Sequence, residues 1–302
     1  MEWLSGMALG VAGTVVSSWL KRKFWPEIDR TKLKMVSRFR ELLAAHEIPR
    51  DQASRLLGEQ ISAVEFASDA GIARVLTPER IDLVCKQLGI SNDWLIRGEG
   101  KHQSTWSIEQ GSSCWIDELA EVKQSHDIKI VICRSEPVEL EDNARQAGAI
   151  ILLRQVGTCG SEAIHACLPC MSLQSWDVPQ QRDLAIRLIT ACNALRIRMV
   201  GVTIPELDCH RIAAGEQLAA TYALKCRTMV WHPEDYGHSR RSASAKCSSW
   251  HREAVTRMET SGQVERLVVW QEELGIRGDW AADAILRPTD MGKPPMMAVG
   301  GR

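Results

Sequence analysis

The stretch LTPERIDLVCKQLGISNDWLIRGEG, residues 76–100, carries the clearest structural signal in this chain. Pro78 favours a helix start and Gly89 favours its end. Between them, apolar residues recur at the spacing of one helix face: Ile81, Leu83, Val84 and Leu88. A short turn then leads to Trp94 and Leu95. We therefore predict a helix whose apolar face shares a core with the Trp-Leu pair.

The preceding sequence predicts further short helices. Phe39, Leu42 and Leu43 give a first amphipathic helix, and residues 49–57 give a second that ends at Gly58. Together with the stretch quoted above, this pattern resembles a lambda-repressor-like (Cro-type) helix-turn-helix domain over about residues 38–100. The resemblance implies an all-α bundle in which residues 61–68 occupy the position of the recognition helix. It also implies a regulator that binds DNA.

The recognition position departs from the family pattern. Its segment EQISAVEFASD offers polar side chains but neither Arg nor Lys, and it carries Glu59, Glu65 and Asp69. From residue 38 to residue 99 there are eight Lys and Arg residues against ten Asp and Glu residues. Because nonspecific DNA affinity comes largely from cations that displace counterions, this acidic balance predicts repulsion of phosphate. If DNA is bound, we expect three contact residues: Arg55, Gln60 and Ser62. The alternative is a fold used for protein contacts or as a scaffold.

Length and composition suit a soluble protein with two domains. The chain has 302 residues, of which 45% are hydrophobic and 25% are charged, enough for two separate cores. The net charge of -1 gives no overall attraction to nucleic acid or anionic lipid. Ten cysteines without a compact disulfide pattern or a cleavable secretory signal favour a reduced, cytoplasmic protein.

The N-terminus adds an alternative location. Residues 3–20 contain no charged side chain, and Lys21, Arg22 and Lys23 follow directly. The run is short and contains several Gly and Ser residues, so its insertion into lipid would be marginal. Three interpretations remain: an apolar helix that docks on the protein or on a second copy, a single span of the inner membrane, or a helix lying on the membrane surface.

These patterns predict a multidomain chain, with an all-α helix-turn-helix bundle followed by an α+β, or alternatively α/β, C-terminal domain. Residues 1–33 form the apolar helix and its basic flank, 34–100 the bundle, and 101–113 a polar linker. Residues 114–286 form a sensor or interaction domain. The tail 287–302, rich in Pro, Gly and Met, is predicted to be disordered.

Short apolar runs predict strands at residues 128–133, 149–156 and 163–173. The first two flank a predicted helix at 138–147, so we expect a strand-helix-strand start and a sheet that is at least partly parallel. The remaining pattern predicts a helix at 180–195, an extended segment at 199–204, a helix at 205–223, a strand at 228–232 and helical sequence at 250–274.

A second resemblance concerns the whole layout. The segment RIAAGEQLAATYALKCRTMVWHPED, residues 211–235, is similar to a group of uncharacterised bacterial proteins that join an apolar N-terminal helix, a repressor-like bundle and a C-terminal domain. This resemblance implies the domain layout and no chemistry.

Two groups of Cys and His residues could bind a metal. The first has the two-residue gap of a CLPC segment: Cys159, His165, Cys167 and Cys170. Zinc, redox chemistry and buried structural thiols are the alternatives, and the strand-like surroundings favour the last. The second group matches no standard zinc spacing: Cys226, His232, His238, Cys247 and His251.

Signatures of nucleotide binding and hydrolysis are missing. The sequence contains no GxxxxGK[ST], GxSxG, HExxH or strand-linked GxGxxG motif, and the GTCGS turn favours a hairpin over an anion site. We therefore expect a protein without catalytic residues, metal or cofactor. Two hypotheses remain: a DNA-binding regulator with a C-terminal sensor, or a protein-interaction module. Either protein could form a homodimer, and either could associate with the membrane through residues 3–20.

Overall fold

The computed structural model of the chain describes residues 30–57, 61–108, 114–135, 147–159, 162–170, 175–176, 178–225, 231–236 and 245–276. These residues form two units that divide close to residue 100. The first unit is helical. The second combines a mixed four-stranded sheet with helices.

The described residues of the first unit form five short or medium helices. They are α1 (Arg30–Ala45), α2 (Ala53–Leu57), α3 (Asp69–Val75), α4 (Pro78–Leu88) and α5 (Asn92–Arg97), and 3-10 helices lie at Arg50–Gln52 and Ala63–Ala67. The predicted helices at Phe39 to Leu43 and at residues 49–57 are confirmed, the second as a 3-10 turn leading into α2.

Residues 76–100 fold as expected in their main features. Helix α4 begins at Pro78 and ends at Leu88, and Gly89 follows with a positive φ of 72°. Trp94 and Leu95 are buried on α5. One residue was predicted wrongly, because Leu83 is 40% exposed and so does not belong to the core face.

The segment expected to hold the recognition helix takes another form. Residues Ala63–Ala67 form a 3-10 helix, and the next α-helix starts only at Asp69. Ser68 has extended backbone, and its hydroxyl accepts a hydrogen bond from the Gly71 N–H at 3.1 Å, so a new helix begins there. A Cβ on Gly71 would lie 2.0 Å from the Glu65 carbonyl oxygen, so this close approach requires glycine.

The second unit alternates strands with helices. Its strands are β1 (Ile128–Arg134), β2 (Gly148–Cys159), β3 (Glu162–Cys170) and β4 (Arg198–Thr203). Its helices are α6 (Cys114–Ser125), α7 (Pro179–Ala194), α8 (Glu206–Ala214), α9 (Ala220–Ala223), α10 (Ala245–Thr260) and α11 (Gln263–Glu273), with a 3-10 helix at Pro233–Tyr236. The predicted strands at 128–133 and 149–156, and the predicted helix at 180–195, are confirmed. The single helix predicted at 205–223 is instead two, because Gly215 ends α8 with a φ of 76°.

The sheet is mixed. Its order is β3-β2-β1-β4, and β2 pairs antiparallel with both β1 and β3. The prediction that at least part of the sheet is parallel is confirmed, although the two strands of the expected strand-helix-strand start, β1 and β2, are antiparallel neighbours. The helix predicted at 138–147 falls mostly outside the described residues. The parallel pair is β1 with β4, which follows α7 along the chain. The hairpin expected at the GTCGS turn is confirmed, since pairing of β2 with β3 reaches Cys159 and Glu162.

Side chains alternate between the two faces of the sheet. One face shares a core with α6, α7 and α11, to which Ile130, Leu152 and Met199 contribute. The other face is contacted by α8. Helix α7 is buried around most of its circumference.

The described part of the predicted linker, residues 101–108, packs on the second unit. The side chain of Gln103 donates to the Gln217 carbonyl at 2.7 Å and accepts from the Ala219 N–H at 3.1 Å. Trp106 forms a bridge with Cys170, and Ile108 is buried. Gln103, Trp106 and Ile108 therefore belong to the core and hydrogen-bond network of the second unit.

None of the helices in the described part of the chain has the length and apolar character needed to cross a membrane. The apolar run at residues 3–20 and the predicted disordered tail 287–302 both lie outside the described residues.

Candidate functional site

Two of the three predicted DNA contacts, Arg55 and Ser62, lie within the described residues. Arg55 is exposed on α2. Ser62 is also exposed, and its oxygen accepts a hydrogen bond from the Val64 N–H at 3.4 Å, so it caps the 3-10 helix. Gln60 lies outside the described residues. The hydroxyl hydrogen of Ser62 keeps its capacity to donate to a ligand.

The acidic side chains at the recognition position are paired with arginines. Glu65 lies 3.3 Å from the Arg74 guanidinium, and Asp69 forms a salt bridge with Arg40 of α1. Sequence reasoning treated these carboxylates as repulsive to phosphate. Because each has a cation beside it, their repulsion toward phosphate is reduced.

Two further arginines of this unit bind helix ends. Arg38 donates from Nε to the Leu95 carbonyl at 2.9 Å, near the end of α5. Arg80 donates to the Val75 carbonyl at 3.0 Å, at the end of α3. Cations at these positions satisfy carbonyl groups that have no partner within the helix. Arg38 and Arg80 therefore stabilise the bundle, while Arg55 makes no ion pair within the described residues.

The same surface carries an exposed apolar side chain. Val64, in the middle of the 3-10 helix, is 76% exposed. Ala63 and Ala67 beside it are exposed as well. Such small apolar groups can contact a thymine methyl or the apolar centre of a protein interface.

The CLPC segment lies on β3, and its two thiols lie on opposite faces of the sheet. Cys167 pairs in register with Leu153, and Cys170 pairs with Ile150. Since residues three apart on a strand point to opposite faces, these thiols do not converge on one metal. Burial raises the pKa of Cys167 to about 12, so the thiol is neutral at physiological pH. Within the described residues, no group of three or more His, Cys, Asp or Glu side chains could hold a metal ion.

Much of the second Cys and His group falls outside what the structure describes. Cys226, His238 and the side chain of Cys247 are outside it. His232 is exposed after Trp231, and His251 is buried on α10. A shared zinc site at these residues stays an alternative hypothesis.

A cluster that the sequence analysis did not identify lies at the end of β1. Arg134, the last residue of that strand, is 1% exposed. Its guanidinium carbon lies 4.7 Å from the ring centre of Trp231 and 5.9 Å from that of Trp176. Arg134 also donates to the Tyr236 hydroxyl at 3.3 Å. A cation held over aromatic rings gains electrostatic attraction from their negative faces.

Two strand glycines make room for the tryptophans of this cluster. A Cβ on Gly148 would lie 2.4 Å from Nε1 of Trp176, and a Cβ on Gly201 would lie 2.4 Å from the Trp231 carbonyl oxygen. Such distances are shorter than real side chains tolerate, so glycine lets the two residues approach the sheet.

Neighbouring groups hold the two tryptophans in place. Trp176 precedes α7, and its carbonyl accepts a hydrogen bond from Arg182 at 3.3 Å. Trp231 forms a bridge with Gly201, and its indole N–H donates to the Val202 carbonyl at 3.2 Å. The available sequence signal was a charged residue ending an apolar strand, with Trp residues far along the chain. That signal does not show, without the fold, that Arg134 and the two tryptophans lie together.

No protein-family model matches the chain, and no curated protein and no solved structure gives a significant match. The functional assignment therefore depends on the residues and geometry described above.

Proposed function

We propose that this protein is a helix-turn-helix regulator whose first unit binds DNA and whose second unit senses a ligand. The observation that carries the proposal is the pairing of Glu65 with Arg74 and of Asp69 with Arg40. These pairs reduce the negative charge at the recognition position, beside the exposed Arg55 and Ser62. The burial of Trp94 and Leu95 supports the resemblance on which the regulator assignment rests.

In this proposal, Arg55 contacts phosphate, and Gln60 and Ser62 contact base edges. A dimer would bring two such surfaces to two half-sites and raise the affinity of a weakly charged module. The proposed regulator acts in the cytoplasm, with inner-membrane association through residues 3–20 as an additional feature, and it has no catalytic residue, metal or cofactor.

The test is binding of the full-length protein to random and genomic DNA across a salt series. We expect sequence-selective binding that weakens as salt rises. Arg55→Ala should weaken binding to all sequences and reduce the slope of log affinity against log salt by about one. The matched control is Arg97→Ala on α5, because Arg97 is an exposed arginine at 3.9 Å from Asp93 and belongs to no proposed contact.

Absence of any DNA complex at low salt would refute the DNA-binding proposal. Binding that Arg55→Ala leaves unchanged, in both affinity and salt slope, would refute the role of Arg55 alone. The variant that changes Ser62 to Ala then tests base contact, since it should reduce selectivity more than total affinity.

The second candidate is a protein-interaction module that no longer binds DNA. The 76% exposure of Val64 and the 3-10 form of the recognition segment favour it. In this case Val64→Asp should lower the affinity for a partner or a second copy, as sedimentation of the full chain would show. A variant that self-associates as the wild type does, and recovers the same partners, would refute a role for this surface.

A further inference from the structure

We propose that the second unit binds a short dicarboxylate across the ends of β2, β1 and β4. The proposed site consists of three hydrogen-bond donors on one face of the sheet: the Trp176 indole N–H, the Arg134 guanidinium and the Thr203 hydroxyl. This inference deepens the proposed sensing function by naming the class of ligand. It rests on that function only for the claim that ligand binding regulates the protein.

The three donors follow one row across three neighbouring strands. Gly148 on β2 pairs in register with Arg134 on β1, and Arg134 pairs with Thr203 on β4. Trp176 lies against Gly148, at the outer end of this row. Paired residues in neighbouring strands place their side chains on the same face of the sheet, so the three donors share that face.

Two of the donors are buried without a hydrogen-bond partner. Trp176 is 2% exposed, and its Nε1 has no partner among the described residues. The Thr203 hydroxyl oxygen is also shielded from solvent and has no partner there. A buried donor without an acceptor costs roughly 1–3 kcal/mol, so proteins seldom keep two on one row without a reason. An oxygen ligand would satisfy both.

The position in the fold also favours a ligand. Strands β1 and β4 are parallel, and Arg134 and Thr203 end them. Ligands of open sheets with parallel strands commonly bind outside the carboxyl ends of those strands. Two aromatic rings, Trp231 and Trp176, keep the Arg134 cation in a low-polarity environment, where its attraction to an anion is stronger than in water.

The spacing of the row selects the class of anion. Neighbouring strands lie about 4.8 Å apart, so Gly148 and Thr203, the strand positions at which the outer two donors lie, are separated by roughly 10 Å. Two hydrogen bonds of about 2.8 Å leave roughly 4 Å between the two acceptor oxygens. A single carboxylate or a phosphate is too small to reach both outer donors. A dicarboxylate with one or two carbons between its carboxyl groups spans this distance and places negative charge over Arg134.

Entry of this ligand requires local opening. Arg134 and Trp176 are both nearly inaccessible to solvent. We therefore expect association slower than for an open pocket, together with a higher melting temperature in the bound form.

The test is titration calorimetry of the full-length protein with succinate, with acetate and inorganic phosphate as comparison anions at constant ionic strength. We expect succinate to bind more tightly than either comparison anion. Thr203→Val removes one donor while keeping side-chain volume, and should weaken succinate binding by about tenfold or more. Trp176→Phe removes the indole N–H and should have an effect of the same order.

Matched controls separate loss of a donor from loss of packing. Thr190→Val removes a buried hydroxyl that donates to the Ile186 carbonyl on α7, away from the row. Trp115→Phe removes another buried indole N–H without a described partner, on α6. Both controls should bind succinate as the wild type does.

Each contrary outcome overturns the inference. No succinate binding by the wild type refutes the site, and equal affinities for succinate and acetate refute the dicarboxylate class. Equal affinities of wild type, Thr203→Val and Trp176→Phe refute the donor row. DNA binding is measured separately, so failure of this inference and failure of the proposed regulator remain distinguishable.

Discussion

Asp183 is a buried carboxylate on α7 that binds two arginines. Its side chain is 9% exposed, and it lies 3.1 Å from Arg187 and 3.0 Å from Arg257. Arg187 belongs to α7 and Arg257 to α10, so this carboxylate links two helices. Desolvation is the main cause that lowers the pKa of Arg187, which shows that its charge is held away from water.

Replacing Asp183 by Asn should destabilise the second unit strongly. The change leaves Arg187 buried without its counter-charge, and removal of one member of a buried pair costs about 3–5 kcal/mol. Urea unfolding of the full chain measures this loss in the free energy of unfolding. Glu253→Gln is the control, because Glu253 is exposed and lies 4.0 Å from the same Arg257. We expect the control to lose less than about 1 kcal/mol, and equal losses in both variants would contradict the argument.

The strand glycines provide a second residue-level prediction. Gly201→Ala places a methyl group 2.4 Å from the backbone oxygen of Trp231, and this contact requires the backbone to move. We expect a loss of about 1–3 kcal/mol in unfolding free energy and a change in tryptophan fluorescence. Gly157→Ala is the matched control in the same sheet, since no atom of the described residues lies within 4 Å of the added group. A Gly201→Ala protein as stable as this control would show that Trp231 does not lie against the strand.

At the level of single elements, α5 shows how a short helix is held by its packing. It has six residues, begins after a Ser91 cap and ends at Gly98, whose φ is 78°. Isolated helices of this length are unstable in water, so burial of the Trp94 and Leu95 side chains must stabilise it.

Leu95→Ala should therefore destabilise the first unit by about 2–5 kcal/mol, because Leu95 is fully buried. Ile96 is the next residue on the same helix and is 36% exposed, so Ile96→Ala should cost less than about 1 kcal/mol. Chemical unfolding followed by circular dichroism compares the two variants. If the two losses are similar, Leu95 does not pack in the core of this unit.

The described part of the predicted linker gives another element-level prediction. Gln103→Ala removes the partner of the Gln217 carbonyl and of the Ala219 N–H, and the latter bond is buried. We expect the free energy of unfolding of the full chain, measured by thermal denaturation, to fall by about 1–3 kcal/mol. Ser104→Ala, at the next and exposed position, should be close to neutral. A neutral Gln103→Ala would show that this side chain does not hold the segment on the second unit.

For the whole molecule, the buried thiols predict a dependence of stability on pH. Burial is the first cause that raises the pKa of Cys85, Cys167 and Cys209 to about 12, from an ordinary value of 9.0. In the unfolded chain these thiols ionise near pH 9, while in the folded chain they stay protonated. The stabilisation of the folded state by these neutral thiols is therefore complete below about pH 9, and it is lost as the pH rises toward about 12.

We expect the free energy of unfolding to fall between about pH 8 and about pH 10, by roughly 1.4 kcal/mol for each such thiol. Urea titrations at both pH values measure the fall, and Cys167→Ala should show a smaller one than the wild type. Alkylation of the native protein, followed by peptide mapping, should modify the exposed Cys114 before the buried cysteines. An equal fall in the Cys167→Ala protein would contradict the role of that thiol.

Local patterns in the sequence were sufficient for the α4 helix, the Trp94 and Leu95 pair, and strands β1 and β2, because spacing, caps and apolar runs act over a few residues. They also indicated an all-helical part followed by a part with strands. They did not predict that β1 pairs antiparallel with β2 and parallel with β4, since strand pairing depends on contacts between distant residues.

The amino-acid sequence by itself determined where helices α4 and α7 and strands β1 and β2 form, because their hydrophobic periods and end signals are local. Only the tertiary structure brought Arg134 together with Trp176 and Trp231, and placed Glu65 and Asp69 beside arginines. These pairs join residues from different elements, so the sequence order does not show them. Their energies depend on burial and distance, which exist only once the elements have packed.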